Sequence, residues 1–206
     1  MQGGGWEVDE AELLAQVARG DHQAFQQFYR LYAPRVFRYA LTLVRDQFLA
    51  EEVVQETMIA VWRGAKGFRG RSQVSTWVFG IARNQAWQVL RRTPQNLSEP
   101  EEEVVVLDGV GMVEEEERVR KALTKLPPIE REVVVLAFYQ GLTYRDIAAI
   151  LGVPEGTVKS RMYHARKRLR ELLSPDHGRS PASQSKVEEK APFRQARESN
   201  VGGDGP

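Results

Sequence analysis

The stretch TYRDIAAILGVPEGTVKSRMYHARKRLREL, which begins at Thr143, constrains the fold of this chain more than any other segment. Thr143 followed three residues later by Asp146 is a capping-box-like start, in which each side chain serves the other residue's backbone N–H, so it sets where a helix begins. Ile147, Ala148, Ile150 and Leu151 give that helix its buried stripe. A helix-turn-helix needs a small residue where its two helices cross, a turn residue that tolerates positive φ, and an apolar residue that locks the second helix. Ala148, Gly152 and Val158 meet the three requirements at spacings of four and six.

The second helix, residues 155–173, buries Val158, Met162, Ala165, Leu169 and Leu172 and leaves Lys159, Ser160, Tyr163, His164 and Lys167 outward. An outward face of this kind near a helix N-terminus suits the DNA major groove, with donors for base edges and an aromatic for a thymine methyl or a sugar. Thr157 joins that edge from the first turn, and Arg161, Arg166, Arg168 and Arg170 flank it as phosphate contacts. A basic solvated helix on an ordinary helical protein would need neither the turn nor the Ala and Gly where they stand.

Charge sorting supports a polyanionic partner although the formal net charge is only +1. Residues 98–117 hold nine acidic side chains and no basic one, whereas residues 118–170 hold twelve Lys and Arg against Glu130, Glu132, Asp146 and Glu155. A basic domain thus follows an acidic tether.

Upstream, residues 10–19 read as a short helix with Leu13, Leu14 and Val17 on one face, ended by Gly20, after which Asp21 caps the next helix. From His22 to Val44 the apolar period of a helix runs through Phe25, Phe28, Tyr29, Tyr32, Phe37, Leu41 and Val44, with a kink or restart expected at Pro34. A further helix over residues 49–62 offers Val53, Met58, Val61 and Trp62 to the core and carries Glu51, Glu52, Gln55 and Glu56 on its opposite face. RGAKGFRGRSQ reads as an exposed basic loop, and Ser72 or Ser75 is expected to cap the helix that ends at Arg92. Along that helix Trp77, Phe79 and Trp87 interleave with Arg83, Arg91 and Arg92, and Arg69 and Arg71 precede it. Aromatic faces stack on unpaired bases while cations hold the backbone, although one of the two tryptophans is expected in the core.

Residues 94–117 contain Pro94, Pro100, glycines and the acidic run and read as a linker, with VVVL at 104–107 a strand without a partner. Helices over 118–126 and 129–139 follow, separated by Pro127 and Pro128 and closed by Gly141. Residues 174–206 are polar, and a disordered tail is expected there. The chain so divides into an N-terminal segment (1–20), a first domain (21–93), the linker (94–117), a second domain (118–173) and the tail, all α in class.

Catalysis finds little to work with. Only three histidines are present, His22, His164 and His177, and no phosphate-cradling loop, nucleophile elbow or metal-ligand pair accompanies them. Glu51, Glu52 and Glu56 lack a second cluster and read as a solvated or partner-binding face. Cysteine is absent, which excludes disulfides and thiolate metal sites. No cofactor and no enzyme activity are expected. Neither an export signal nor an apolar run long enough to span a membrane is seen, so a soluble cytoplasmic protein without direct membrane insertion is expected.

FQQFYRLYAPRVFRYA, AEEVVQETMIAVWRG, STWVFGIARNQAWQVLRR and LTKLPPIEREVVVLAFYQGLTYRDIAAILGVPEGTVKSRMYHARKRL, in that order, resemble the extracytoplasmic-function (ECF) branch of the bacterial sigma factors over residues 10–173. The resemblance implies RNA polymerase core and promoter DNA as partners and an anti-sigma factor as regulator. It implies that the first domain melts and reads the minus-10 element and the second reads the minus-35 element as duplex. Glu52, Gln55, Glu56 and Thr57 match the family's polymerase-clamp helix, and residues 67–74 its specificity loop. Asn84 falls near the melted strand, so that Arg69, Arg71, Ser75, Trp77, Asn84, Arg91 and Arg92 form the minus-10 set. The minus-35 contacts fall on Lys159, Ser160, Tyr163 and His164, with His164 where many members have Arg. The acidic linker would pass through polymerase's basic channel. The alternative is a stand-alone helix-turn-helix regulator, which would share the second domain and lack the acidic helix face and basic loop of the first. A helical enzyme or an RNA-binding protein is more remote.

Overall fold

A computed structural model of the chain describes residues 9–93 and 114–174, with side chains from Arg118 onward in the second stretch. Among the described residues all regular structure is helical. The linker apart from its last four residues, the VVVL segment and the tail beyond Ser174 lie outside them.

The first helical group is built from α1 (Glu10–Ala18), α2 (His22–Val44), α3 (Gln47–Gly64) and α4 (Val74–Arg92). Aspartates start three of these. Asp9 accepts from the Ala11 and Glu12 N–H groups, Asp21 from Gln23 and Ala24, and Asp46 from Leu49, each satisfying donors that a first turn leaves orphaned. α2 runs unbroken through Pro34, so the expected restart does not occur. The lost N–H of one proline is outweighed by the packing around it, since Tyr32 and Val36 on the same helix are fully buried. α4 is capped by neither Ser72 nor Ser75: Gln73 takes the N-cap position with no side-chain hydrogen bond, and Ser75 lies buried inside the helix. Burial of Val74, Ser75 and Thr76 places that helix start, where local capping chemistry suggested another.

The second group comprises α5 (Glu114–Thr124), α6 (Pro128–Val134), α7 (Tyr144–Leu151) and α8 (Glu155–Leu173). α5 begins four residues earlier than the sequence suggested, taking in Glu114 to Glu117, because glutamate is a good helix former and negative charge favours a helix N-terminus. The single helix expected over 129–139 is α6 followed by a π-helical turn, Val135–Tyr139. Joining α5 to α6, the buried Arg131 of α6 donates to the carbonyls of Leu123 (2.9 Å) and Thr124 (2.6 Å) at the end of α5 and of Leu126 (2.9 Å) in the turn that follows. Burial, with the charge of Arg45 adding to it, pushes the Arg131 pKa down to about 10.

The helix-turn-helix forms as its residues dictate. The Thr143 hydroxyl accepts from the Asp146 N–H at 3.2 Å while the Asp146 carboxylate accepts from the Thr143 N–H at 3.3 Å. Gly152 ends α7 at φ 66, a left-handed conformation that costs a side-chain-bearing residue energy. Val158, Met162 and Ala165 are buried, whereas Leu169 and Leu172 are half-buried near the end of α8.

The two groups share one buried apolar cluster, to which Phe28, Tyr32 and Phe79 contribute from the first and Leu136, Ile147 and Met162 from the second. A smaller cluster within the first group joins Ala40, Leu41, Val44, Ala50, Val53, Ala86 and Val89. The shared core sets the face of α4 against α7, leaving one face of α3 and the outer edge of α8 to solvent.

Candidate nucleic-acid interface

α8 presents Lys159, Ser160, Tyr163, His164, Arg166 and Lys167 to solvent, with Thr157 and Arg161 half-buried at the margin. Tyr163 is 67 % exposed, and its ring meets that of His164 edge-on with centroids 5.5 Å apart, so the two side chains form one projecting aromatic ridge. Lys159 Nζ pairs with Glu155 Oε1 one turn earlier at 2.8 Å. This pair and the hydrogen bond hold the Lys159 pKa above its ordinary value. Arg166 lies 5.8 Å from the Phe138 ring centroid and reaches the Tyr144 hydroxyl at 3.4 Å, and Arg168 pairs with Glu130 at 3.1 Å. These last two cations are therefore oriented by the domain itself.

The set on the first group is less uniform. Arg69, Arg71, Asn84, Arg91 and Arg92 are exposed, and Trp77 is half-buried against Phe68, ring centroids 5.2 Å apart. Ser75 is buried within the first turn of α4, so its side chain is not available to a strand there. Trp87 is the freer of the two tryptophans at 43 % exposure, with the Arg83 guanidinium 5.7 Å from its ring centroid. Arg83 itself lies next to the predicted Asn84 and was singled out only as one cation among several.

On α3, Gln55 and Glu51 are exposed and Glu52 and Glu56 half-buried, which brings the acidic face together as the spacing predicts. Thr57 turns the other way: it is fully buried and its hydroxyl donates to the Val53 carbonyl at 2.6 Å. Glu52 also pairs with Arg92 at 2.7 Å, linking the acidic face to the end of the basic helix. Beside Gln55 a groove of about 450 Å³ opens between α2 and α3, lined by Tyr29, Pro34, Phe37, Arg38, Glu51 and Val54 among others.

One constellation escaped sequence reasoning. Glu132 of α6 is buried, and its Oε1 accepts from Arg83 Nε of α4 at 2.9 Å and from the Tyr39 hydroxyl of α2 at 2.8 Å. Burial first, and then the charge of Glu132, raise the Tyr39 pKa well above its ordinary value. Thr76 donates to Asp146 Oδ1 at 2.8 Å, and Arg35 Nε donates to Gln140 Oε1 at 3.2 Å. The available signal was a carboxylate in the apolar run of EREVVVLAF, a residue type that is rarely buried without a partner.

Among the described residues no group of His, Cys, Asp or Glu is placed to hold a metal ion, and no helix is long and apolar enough to cross a membrane.

Comparison with known proteins places these features in a family. Residues 28–94 match Sigma-70 region 2 and residues 116–169 match Sigma-70, region 4. The chain is 40 % identical over 172 residues to the ECF RNA polymerase sigma factor SigM of Mycobacterium tuberculosis, covering 83 % of this chain and 88 % of the relative. It is 36 % identical over 160 residues to the ECF RNA polymerase sigma factor RpoE of Cereibacter sphaeroides, covering 75 % and 88 %. Among solved structures it is similar to sigma factor RpoE of Bartonella quintana in complex with the anti-sigma factor NepR. There the TM-score is 0.62 at 30 % identity, over 74 % of this chain and 98 % of that one. Similarity to CnrH in complex with the cytosolic domain of CnrY gives a TM-score of 0.60 at 27 % identity, over 79 % and 96 %. A stand-alone helix-turn-helix regulator does not account for the region 2 match, and that alternative is not favoured. The chain belongs to the ECF branch of the bacterial RNA polymerase sigma factors, the subunits that direct transcription initiation.

Proposed function

We propose that the two helical groups divide promoter recognition between them, α8 reading the minus-35 element as duplex and α4 with the preceding basic loop holding the melted minus-10 strand. The exposed edge of α8 carries this reading. Lys159, Ser160, Tyr163 and His164 offer donors and an aromatic ridge on one side of a helix whose other side is locked in the core, a geometry that fits a major groove. Arg161, Arg166 and Lys167 serve the phosphates on either side. On the first group Arg69, Arg71, Trp77, Asn84, Arg91 and Arg92 supply cations and flat faces to an unpaired strand.

Glu52, Gln55 and Glu56 of α3, with the groove beside Gln55, form the docking face for polymerase core. Carboxylates beside a groove whose walls mix apolar side chains with Arg38, Glu51 and Gln55 suit an amphipathic element of the partner. The chain contributes binding and orientation and performs no catalysis of its own. It acts in the cytoplasm, and an anti-sigma factor, of the kind named in the complex of the Bartonella protein, restrains it.

Footprinting of holoenzyme reconstituted with core polymerase tests the division. Lys159→Ala is expected to erase protection of the upstream element while the melted region at the downstream element persists on a promoter that still opens. Loss of the downstream footprint alone would contradict the assignment of α8.

A further inference from the structure

Three cations of α8 are each held by another side chain, and the holders differ. Arg168 pairs with Glu130, whose side chain is only 10 % exposed, and Arg166 leans on Phe138 and Tyr144, all of them outside α8. Lys159 is held from within the helix, Nζ 2.8 Å from Glu155 Oε1, and this carboxylate is 45 % exposed. Glu155 opens α8, with Lys159 four residues on and Tyr163 four beyond that, so the three stand near one line of the helix, from its first turn to the aromatic ridge. A carboxylate at the leading edge of a basic helix repels every phosphate it approaches, and a solvated pair one turn apart adds little to helix stability. A helix that meets a polyanion therefore gains little from Glu155 unless the carboxylate itself finds a donor on the DNA.

Resting on the assignment of α8 to the upstream duplex, we propose that Glu155 is a specificity-determining residue, its carboxylate and the Lys159 ammonium acting as one unit that selects a C·G base pair. In the major groove cytosine N4 is a donor, and guanine O6 and N7 are acceptors. N4 and O6 hydrogen-bond to each other within the pair and so stand about 2.9 Å apart. Glu155 and Lys159 set an acceptor and a donor 2.8 Å apart, the complementary groups at the same spacing. The two keep their own contact while they read, because an ionised carboxylate has spare acceptor sites and an ammonium spare donors. Adenine N6 also donates, but its thymine partner offers the ammonium a single acceptor beside a methyl group, where guanine offers two acceptors. An edge that sets O6 or O4 against the carboxylate leaves two acceptors face to face without a proton between them, so Glu155 rejects as well as selects. Along the helix axis Lys159 lies about 6 Å before Tyr163, which puts the selected pair roughly two to three base-pair steps from the one Tyr163 meets.

Holoenzyme reconstituted from core polymerase and the full chain, given a promoter library randomised across the upstream element, tests the unit by sequencing of the transcripts. The native chain is expected to prefer C·G at one position, and Glu155→Ala to relax that preference roughly tenfold while preferences elsewhere in the element persist. Glu155→Gln should move the same position toward A·T, because an amide donates as well as accepts and pairs with adenine N6 and N7. Among the transcripts that remain, Lys159→Ala should relax the same position, and the double variant no further than Lys159→Ala alone, as a pair acting together requires. Both side chains are exposed, so helicity and melting temperature should stay near native values. A uniform rise in transcription from every upstream sequence with Glu155→Ala would show that the carboxylate merely repels phosphate, a uniform fall that it merely supports the helix, and either overturns the proposal. A relaxed position whose native preference is another base pair overturns the C·G assignment. Preferences shifted by Tyr163→Ala but by neither Glu155 variant overturn the role of Glu155 and leave the assignment of α8 intact, whereas preferences that none of these variants shifts remove that assignment as well.

Discussion

At the scale of single residues, Tyr163 and Tyr39 show how one side-chain type serves opposite ends. Tyr163, at 67 % exposure, has no structural burden beyond its edge contact with His164. Tyr163→Ala should leave thermal unfolding nearly unchanged while costing about 1–3 kcal/mol of affinity for the cognate upstream duplex, measured against a scrambled duplex. Equal losses on both duplexes would show that Tyr163 does not read bases. Tyr39 is buried, and burial and Glu132 raise its pKa well above the ordinary 10.0. A raised folded-state pKa means that its contribution to stability is fully present below about pH 10, where unfolded tyrosine keeps its proton, and is lost as pH rises beyond that value. Urea unfolding from neutral to strongly alkaline pH should therefore show a decline that is shallower in Tyr39→Phe, and an identical slope in the two proteins would contradict the pairing. The exposed residue was legible in the sequence because helical periodicity puts it opposite Val158, Met162 and Ala165. The buried one was not, because its partner lies ninety-three positions away.

Among the elements, those with local punctuation matched their reading. Asp21, the Thr143 and Asp146 box and Gly152 each satisfy or permit backbone conformations within a few residues, so their effects do not depend on the rest of the molecule. The start of α4 and the uninterrupted course of α2 through Pro34 depend on packing between helices, which periodicity alone does not carry. Thr57 and Ser75 illustrate the same limit: motif position assigned both to surfaces, and core contacts turn both inward. At Gly152 an added Cβ meets nothing within 4 Å, so Gly152→Ala should cost only the backbone strain of φ 66, about 1–2 kcal/mol in chemical denaturation. A neutral effect would mean that α7 ends otherwise. On α3, Glu56→Lys should change helicity and melting temperature little, because surface substitutions usually stay within about 0.5 kcal/mol, and yet weaken assembly with core polymerase. Unaltered polymerase affinity would remove α3 from the docking face.

For the whole molecule, class and order of parts were readable, since four helical blocks, an acidic segment and a helix-turn-helix follow one another in the sequence with distinct charge. What the sequence concealed is that the two groups share a core and a buried carboxylate–guanidinium pair. Such pairing joins residues far apart in the chain whose individual types, one Glu and one Arg among many, carry no positional signal. The net charge of +1 conceals an equally consequential division between an acidic face and basic faces, which the proposed function gives to polymerase and to DNA. If both faces act in initiation as proposed, transcription from a promoter library by core polymerase, with and without this chain, tests them together most directly. With the chain present, transcripts should arise from a subset of promoters sharing an upstream and a downstream element, and Glu56→Lys and Lys159→Ala should each depress their yield. Transcription indifferent to the chain, or enhanced equally at every template, would contradict the account.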